Sequence, residues 1–477
     1  MSAPRRRRDG SGSGRRPGPP RGRTGPARPP DVDPARLAAL ELLGAVRVRD
    51  AYANLALPSI LRRHRLRDRD AALATELGYG TLRAQGLLDA VIEACAERPL
   101  NRIEPPLLDA LRLGAYQLLR TRVPPHAAVD TTVELVRADA GSRSAGFVNA
   151  ILRKVGERPE SAWVAALAPA AAEDPIGHTA FVHAHPRWVA QAFADALGGT
   201  DELDAALAAD DARPIVHLLA RPDAITAEEL ALVTGGEVAP YSPYGVHLPP
   251  GSGEIGELDA VAEGLALVQD EGSQLVALAL TRAEVDGPDT GRWLDLCAGP
   301  GGKAALLGGI AALDGASVDA VEVAEHRAEL VRQVVVGLPV TVHTADGREA
   351  PLPPDAYDRV LVDAPCTGLG ALRRRPEARW RRRPEDVAGL AKLQRELLAA
   401  ALRHVRPGGV VAYVTCSPHL SETVGVVTGV VRRADVELVD ARPLLPGVPQ
   451  LGEGPTVQLW PHRHGTDAMY LALLQRR

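Results

Sequence analysis

Cysteine is scarce in this chain. Four residues, at positions 95, 297, 366 and 416 of 477, cannot make a disulfide framework. No Cys-x-x-Cys occurs and no Cys/His cluster has zinc-ligand spacing, so a structural zinc site is not expected, nor any other metal. A reducing cytoplasm is the simplest setting. Long apolar runs are missing too: none approaches the ~18 residues of a membrane span. The N-terminus carries positive charge without an apolar core behind it, so a signal peptide is not expected. Aromatics are thin at 3%, within an otherwise ordinary globular composition of 45% hydrophobic and 24% charged residues. Lysine is almost absent, with three residues (154, 303 and 392) against 52 arginines, 55 basic residues less three.

What is present is unevenly placed. The net charge is −5, but residues 1–30 hold nine Arg and one Asp, about +8, which leaves the remainder near −13. A second basic knot lies at 373–383, where Arg373, Arg374, Arg375, Arg379, Arg381, Arg382 and Arg383 stand against Glu377. Local patches of this kind, rather than net charge, meet a polyanion.

The length suits roughly three domains. Residues 1–33, nearly all Arg, Gly, Pro and Ser, read as a disordered basic arm, either a solubilising tail or a weak nucleic-acid tether. From Pro34 to Arg158 apolar residues recur at helical spacing, with Asp33 as the first cap and Pro105-Pro106 and Pro124-Pro125 as helix-start signals. An all-helical domain over 34–158 is expected. The Ala/Pro-rich stretch 159–180 reads as a linker. A small mixed α/β domain follows over 181–285, with a helix opened by His185-Pro-Arg-Trp188, a strand at 215–219 and a helix at 227–234. His183, His185 and His217 show no mutual ligand spacing, so surface or capping roles are expected for them.

From 286 to 477 strands and helices alternate, with strands expected at 292–297, 317–323, 340–344, 357–362 and 408–415. That alternation gives a doubly wound parallel sheet. A final pair of runs, Thr456–Trp460 and Met469–Leu474, reads as an antiparallel hairpin on the sheet edge. Ligands of such sheets sit beyond the carboxyl ends of the strands. There stand Asp363-Ala-Pro-Cys366 and Thr415-Cys416-Ser417, two thiols ending neighbouring apolar runs. The first strand runs into Cys297-Ala298-Gly299-Pro300-Gly301-Gly302-Lys303, a glycine turn opening a helix, neither GxGxxG nor a Walker loop. The next strands end in Glu322, placed to accept from a ribose diol, in Asp346, placed to take an adenine amino group, and in Asp363. Acids at three strand ends beyond a glycine loop suit a nucleoside of neutral to positive charge, and S-adenosylmethionine fits.

LDLCAGPGGK, VEVAEHR, ADGR, DAPCTGLGALRRRPEARW and YVTCS together resemble the RNA (cytosine-5)-methyltransferases. GFVNAILRK and LRLGAYQLL resemble the NusB antitermination fold, an RNA-binding helical module, and with the HPRW segment the whole of 34–477 is similar to the RsmB/Sun/Fmu family acting on small-subunit ribosomal RNA. The resemblance implies a Rossmann-type methyltransferase domain, preceded by a NusB-like domain and a small ferredoxin-like one. It maps the cofactor site to Cys297–Lys303, Glu322, Asp346 and Asp363, the nucleophile to Cys416 and the thiol assisting release to Cys366. Glu322 stands where many relatives have Asp.

A thiol suits attack on carbon 6 of cytosine because it both adds and departs readily. A free thiol has a pKa of about 8.5, so Cys416 needs a push toward thiolate, expected from the arginine knot and the cofactor's sulfonium. The target base must be single-stranded or flipped out. The arginine knot, directly after Cys366, is expected to hold flanking phosphates, and the lone compact ammonium of Lys303 to touch the base. Transfer RNA or another ribosomal cytosine are alternative substrates, and a non-catalytic NusB-like RNA-binding factor is the alternative from another class.

Overall fold

The computed structural model describes residues 32–477. The basic arm expected over 1–33 therefore lies outside the described residues but for its last two. Asp33 caps the first helix, Pro34–Arg49, by accepting from the Arg36 amide at 2.9 Å. Helices Ala53–His64, Asp68–Ala96, Pro105–Arg120 and Pro125–Val155 complete the front domain around one apolar core. Pro125–Val155 is one span, kinked at Gly141 where φ is 81°.

The linker expected at 159–180 is instead two helices, Glu160–Leu167 and Pro175–Val182. Alanine favours helix as readily as it fills linkers. Trp163 anchors the first by burying in the front core and donating to the Val155 carbonyl at 3.0 Å. Asp174, capping through the Gly177 amide at 2.9 Å, starts the second. Helix Arg187–Leu197 opens at the HPRW segment as expected, and with Leu203–Asp211 it packs on Leu369, Leu372 and Trp460 of the last domain.

The middle sheet has β1 (Val216–Ala220), β2 (Glu237–Val238), β3 (Gly245–Leu248) and β4 (Ala266–Val268) in the order β2-β3-β1-β4, antiparallel throughout. Helix Ala227–Thr234, held by a Thr226/Glu229 capping box, joins β1 to β2. This order is ferredoxin-like.

The large sheet has β5 (Arg292–Asp295), β6 (Ser317–Glu322), β7 (Val340–Thr344), β8 (Tyr357–Asp363), β9 (Val405–Thr415), β10 (Val436–Val439), β11 (Val457–Gln458) and β12 (Tyr470–Arg476). Its order is β10-β12-β9-β8-β5-β6-β7, with β11 paired to β12. The five strands from β9 to β7 run parallel, and helices cover both faces, which is why residues 360–362 of β8 and 410–414 of β9 are fully buried apolar runs. The fold is Rossmann-type. The expected terminal hairpin forms between β11 and β12, but β12 lies inside the sheet, antiparallel to both β9 and β10. The edge belongs to β10, a strand whose mix of half-buried and exposed residues carries no sequence signal.

Candidate active site

Two adjacent strand ends set the site. β8 and β9 pair so that Asp363 lies opposite Val414, and the Ala364 amide continues the ladder to the Val414 carbonyl at 2.9 Å. The two chains then diverge by only a few residues, which leaves Cys366 Sγ and Cys416 Sγ 3.5 Å apart. The loops that carry them are tied to one buried carboxylate. Glu422 accepts from the Thr367 amide (2.8 Å) and hydroxyl on the Cys366 side, from the Ser417 hydroxyl (2.7 Å) on the Cys416 side, and from Gln394 Nε2 (3.1 Å). The Gly370 amide adds a bond to the Cys416 carbonyl at 2.9 Å. Glu422→Gln replaces one accepting oxygen with a donor that faces donors. It is expected to cost about 1–3 kcal/mol in urea unfolding, and an unchanged midpoint would mean that the carboxylate is not what ties the loops.

The two thiols differ in proton affinity. The hydrogen bond from Cys366 lowers the Cys416 pKa below its ordinary value, burial and Asp363 oppose, and Lys303 and Arg375 help lower it. Cys366 is pushed well up, first by its bond to Cys416, then by burial and by Glu422 and Asp363. Of the pair, Cys416 is therefore the readier to ionise and Cys366 the one that keeps its proton. Lys303, buried in the first turn of helix Gly302–Asp314, donates to Asp363 Oδ2 at 2.7 Å. Burial works against its charge, yet Asp363 outweighs that and raises its pKa. The sequence points to the arginine knot as the activator of Cys416; of that knot only Arg375 contributes, and the lysine stands with it.

The glycine turn follows β5. A Cβ at Gly299 would lie 2.1 Å from Glu322 Oε2, so the backbone can approach that carboxylate only because the residue is glycine. Glu322, almost fully buried, accepts from the Gly299 amide (3.1 Å) and the Ala324 amide (3.0 Å) and so braces the turn. No side chain caps helix Gly302–Asp314, which leaves its first amides for a ligand. Asp295, at the end of β5, is fully buried with Oδ2 unpartnered; burial first, then Asp363, push its pKa up to about 7, against the pull of Lys303. Gln269 presents an amide with neither atom partnered, 3.5 Å from where a Cβ on Gly302 would stand. Ala298 is buried beneath the turn, and Cys297, its pKa raised well up by burial, is a neutral thiol. Asp346 caps the short helix Gly347–Glu349, and Arg348 covers both of its oxygens. Orphaned carboxyl and amide groups, free helix amides and a glycine cradle fit the amino-acid and ribose ends of S-adenosylmethionine.

The expected arginine patch is mostly something else. Arg373 and Arg374 both donate to Asp270 and Asp467, at 2.7–3.1 Å. Arg379 is buried against Asp210 and Asp211, and Arg381 donates to the Val46 and Ala51 carbonyls of the front domain. Arg382 donates to the Thr367 carbonyl at 3.0 Å. Guanidiniums close together in sequence meet carboxylates and carbonyls from distant segments, so the knot is a clamp between domains. Only Arg375 and Arg383 remain exposed without a carboxylate, among the described residues. The histidines expected to be surface or capping groups divide. His217 does cap, accepting from the Glu271 amide at 3.0 Å, and His183 meets Asp204 at 2.8 Å, while His185 is buried against Asp210 at 3.2 Å.

Sequence reasoning misses Asp295, Glu422 and Gln269. An acid inside the apolar run of β5 is a usable signal for Asp295. Glu422 has none, because an acid after a strand reads as a cap.

The profile described as 16S rRNA methyltransferase RsmB/F matches residues 283–475, and that of the NusB family matches 33–157. A Mycobacterium tuberculosis (strain H37Rv) protein, provisionally named a methyltransferase, is 64% identical over 96% of this chain and 99% of its own. The ribosomal RNA small subunit methyltransferase B of Vibrio cholerae is 30% identical over 92% of this chain and 96% of its own. The crystal structure of PH0851 superposes with a TM-score of 0.76 at 24% identity, over 94% of this chain and all of that one, a likeness of fold. With both profiles matched and full-length relatives on either side, the chain belongs to the RsmB/F family of 16S rRNA methyltransferases, with a NusB-family domain in front.

Proposed function

We propose that this protein transfers a methyl group from S-adenosylmethionine to carbon 5 of a cytosine in small-subunit ribosomal RNA, in the cytoplasm, through a covalent bond to Cys416. The observation that carries the reading is the thiol pair: two sulfurs 3.5 Å apart, one of lowered and one of raised proton affinity, beside a buried ammonium.

Cys416 thiolate adds to carbon 6 of the ring, and the displaced electron pair makes carbon 5 nucleophilic. When bound, S-adenosylmethionine supplies the electrophilic methyl group that carbon 5 takes. The turn Cys297–Lys303, with Glu322, Asp346 and Asp363, would hold it, and Asp295 and Gln269 offer further polar groups. Carbon 5 then gives up its proton to solvent water, the bonding pair restores the ring double bond, and Cys416 leaves as thiolate. Departure is assisted by the hydrogen bond from Cys366 and the charge of Lys303; the one proton released overall is the one carbon 5 lost. Lys303, held by Asp363, faces the same space and stabilises negative charge on the sulfur before and after the reaction.

Incubating the Cys366→Ala enzyme with cofactor and unmodified small-subunit ribosomal RNA is expected to accumulate a protein–RNA adduct, seen by denaturing gel and mass spectrometry. Cys416→Ala should give neither adduct nor methyl transfer. An adduct in Cys416→Ala alone would exchange the two roles, and none in any variant would remove the covalent step.

A further inference from the structure

The loop from Thr367 to Arg383 leaves Cys366 and crosses to the front domain, where almost every long side chain is anchored. The Glu377 carboxylate accepts from the Ala53 amide at 3.2 Å, Trp380 donates to the Leu82 carbonyl at 3.0 Å, and Arg379 and Arg381 are held as described. Arg375 is the exception near the thiols. Among the described residues no carboxylate comes within ion-pair distance of its guanidinium, although Glu377 acts on it from farther off; the guanidinium lies over the Tyr52 ring, 5.2 Å from its centre, with Arg381 over the same ring at 5.6 Å. Tyr52 is 42% exposed in a chain whose aromatics are 3% of residues. It stands at the start of helix Ala53–His64, and beyond that helix, ~18 Å away by its rise, Arg65 and Arg67 in the turn and Arg69 in the first turn of helix Asp68–Ala96 are exposed. A partly exposed aromatic ring with guanidiniums packed on it is a combination that proteins use to hold unpaired nucleotides: the ring's exposed part takes a base, the cation a phosphate.

We propose that Tyr52 and Arg375 form a seat for a nucleotide next to the target cytosine, Tyr52 stacking on its base and Arg375 meeting its phosphate. The proposal rests on the RNA methyltransferase reading and narrows the expected phosphate patch to one arginine. The front domain thereby contributes an RNA contact to the catalytic cleft. A single-stranded or flipped-out stretch fits this seat; a duplex does not, because its bases have no free face.

The test uses the full chain, with an unmodified transcript of small-subunit ribosomal RNA as probe, reading filter binding and methyl transfer separately. Tyr52→Leu keeps apolar packing but not the ring. It is expected to raise Kd and KM about tenfold, to leave kcat within twofold and thermal unfolding unchanged, and Tyr52→Trp should restore binding. Arg375→Gln should lower the salt dependence of binding by about one unit of slope. The seat is overturned if Tyr52→Leu leaves Kd unaltered, if it shifts the unfolding midpoint along with kcat, or if Arg375→Gln leaves the slope intact. Because binding is read without catalysis, RNA that binds but is not methylated defeats the methyl-transfer reading alone.

Discussion

Lys303→Met is expected to slow methyl transfer at pH 7 by about 10- to 1,000-fold, the effect of moving a thiol pKa by 1–3 units. The ammonium is buried, 2.7 Å from Asp363, and is one of the groups that hold Cys416 below its ordinary thiol value. Its loss leaves Asp363 facing the sulfur without a counter-charge, and two anions at close range disfavour each other. The sign follows directly. A higher Cys416 pKa means less thiolate at any pH below it, so the acid limb of the rate profile moves to higher pH. Asp295, already pushed up to about 7, loses the same lowering influence and stays protonated further into the neutral range. Alkylation of Cys416 by iodoacetamide, followed against pH by mass spectrometry, reads the thiolate without needing RNA. A midpoint that does not move would make Lys303 a structural partner of Asp363 and nothing more.

The second large effect is on stability. Arg379 is fully buried, donating to Asp211 Oδ1 at 2.6 Å and to the backbone carbonyls of Asp210 (3.1 Å) and Arg83 (3.2 Å). Its neighbour Asp210 is also fully buried; burial raises its pKa to about 6 even with Arg379 and Arg373 pulling down. Removing one partner from a buried cluster leaves the others uncompensated, so Arg379→Met is expected to lose about 3–5 kcal/mol in urea unfolding. That loss should depend on pH. An acid whose folded pKa lies above its unfolded one is a cost that appears as pH rises through the folded value. Arg379→Met raises the Asp210 value further, so it should cost more at pH 8 than at pH 5. An equal loss at both values would place the effect in packing rather than charge.

The parts of the site that share one short stretch of chain are legible in the amino-acid sequence. The glycine turn, the acids at strand ends and both thiols lie within a few residues of a strong apolar run, and runs of Val and Leu locate strand ends well. What depends on a partner far along the chain is not legible there. Seven arginines in eleven positions announce charge, but their carboxylates come from Asp210, Asp211, Asp270 and Asp467, so a clamp reads as a phosphate patch. Glu422 matters because Thr367, 55 positions earlier, folds onto it. The terminal hairpin reads as the sheet edge because β10, the outer neighbour of β12, lacks a continuous apolar run.

The Trp380 indole rests against Gly86, where a β-carbon would lie 2.3 Å from the ring. The segment carrying Cys366 is thus cast in a mould supplied by the opening hundred residues. A gene fragment encoding only the last two hundred would specify the same sulfur atoms with no mould to set the loop that follows the first of them. Exchanging front halves between relatives should succeed only where the donor keeps a bare backbone at that notch.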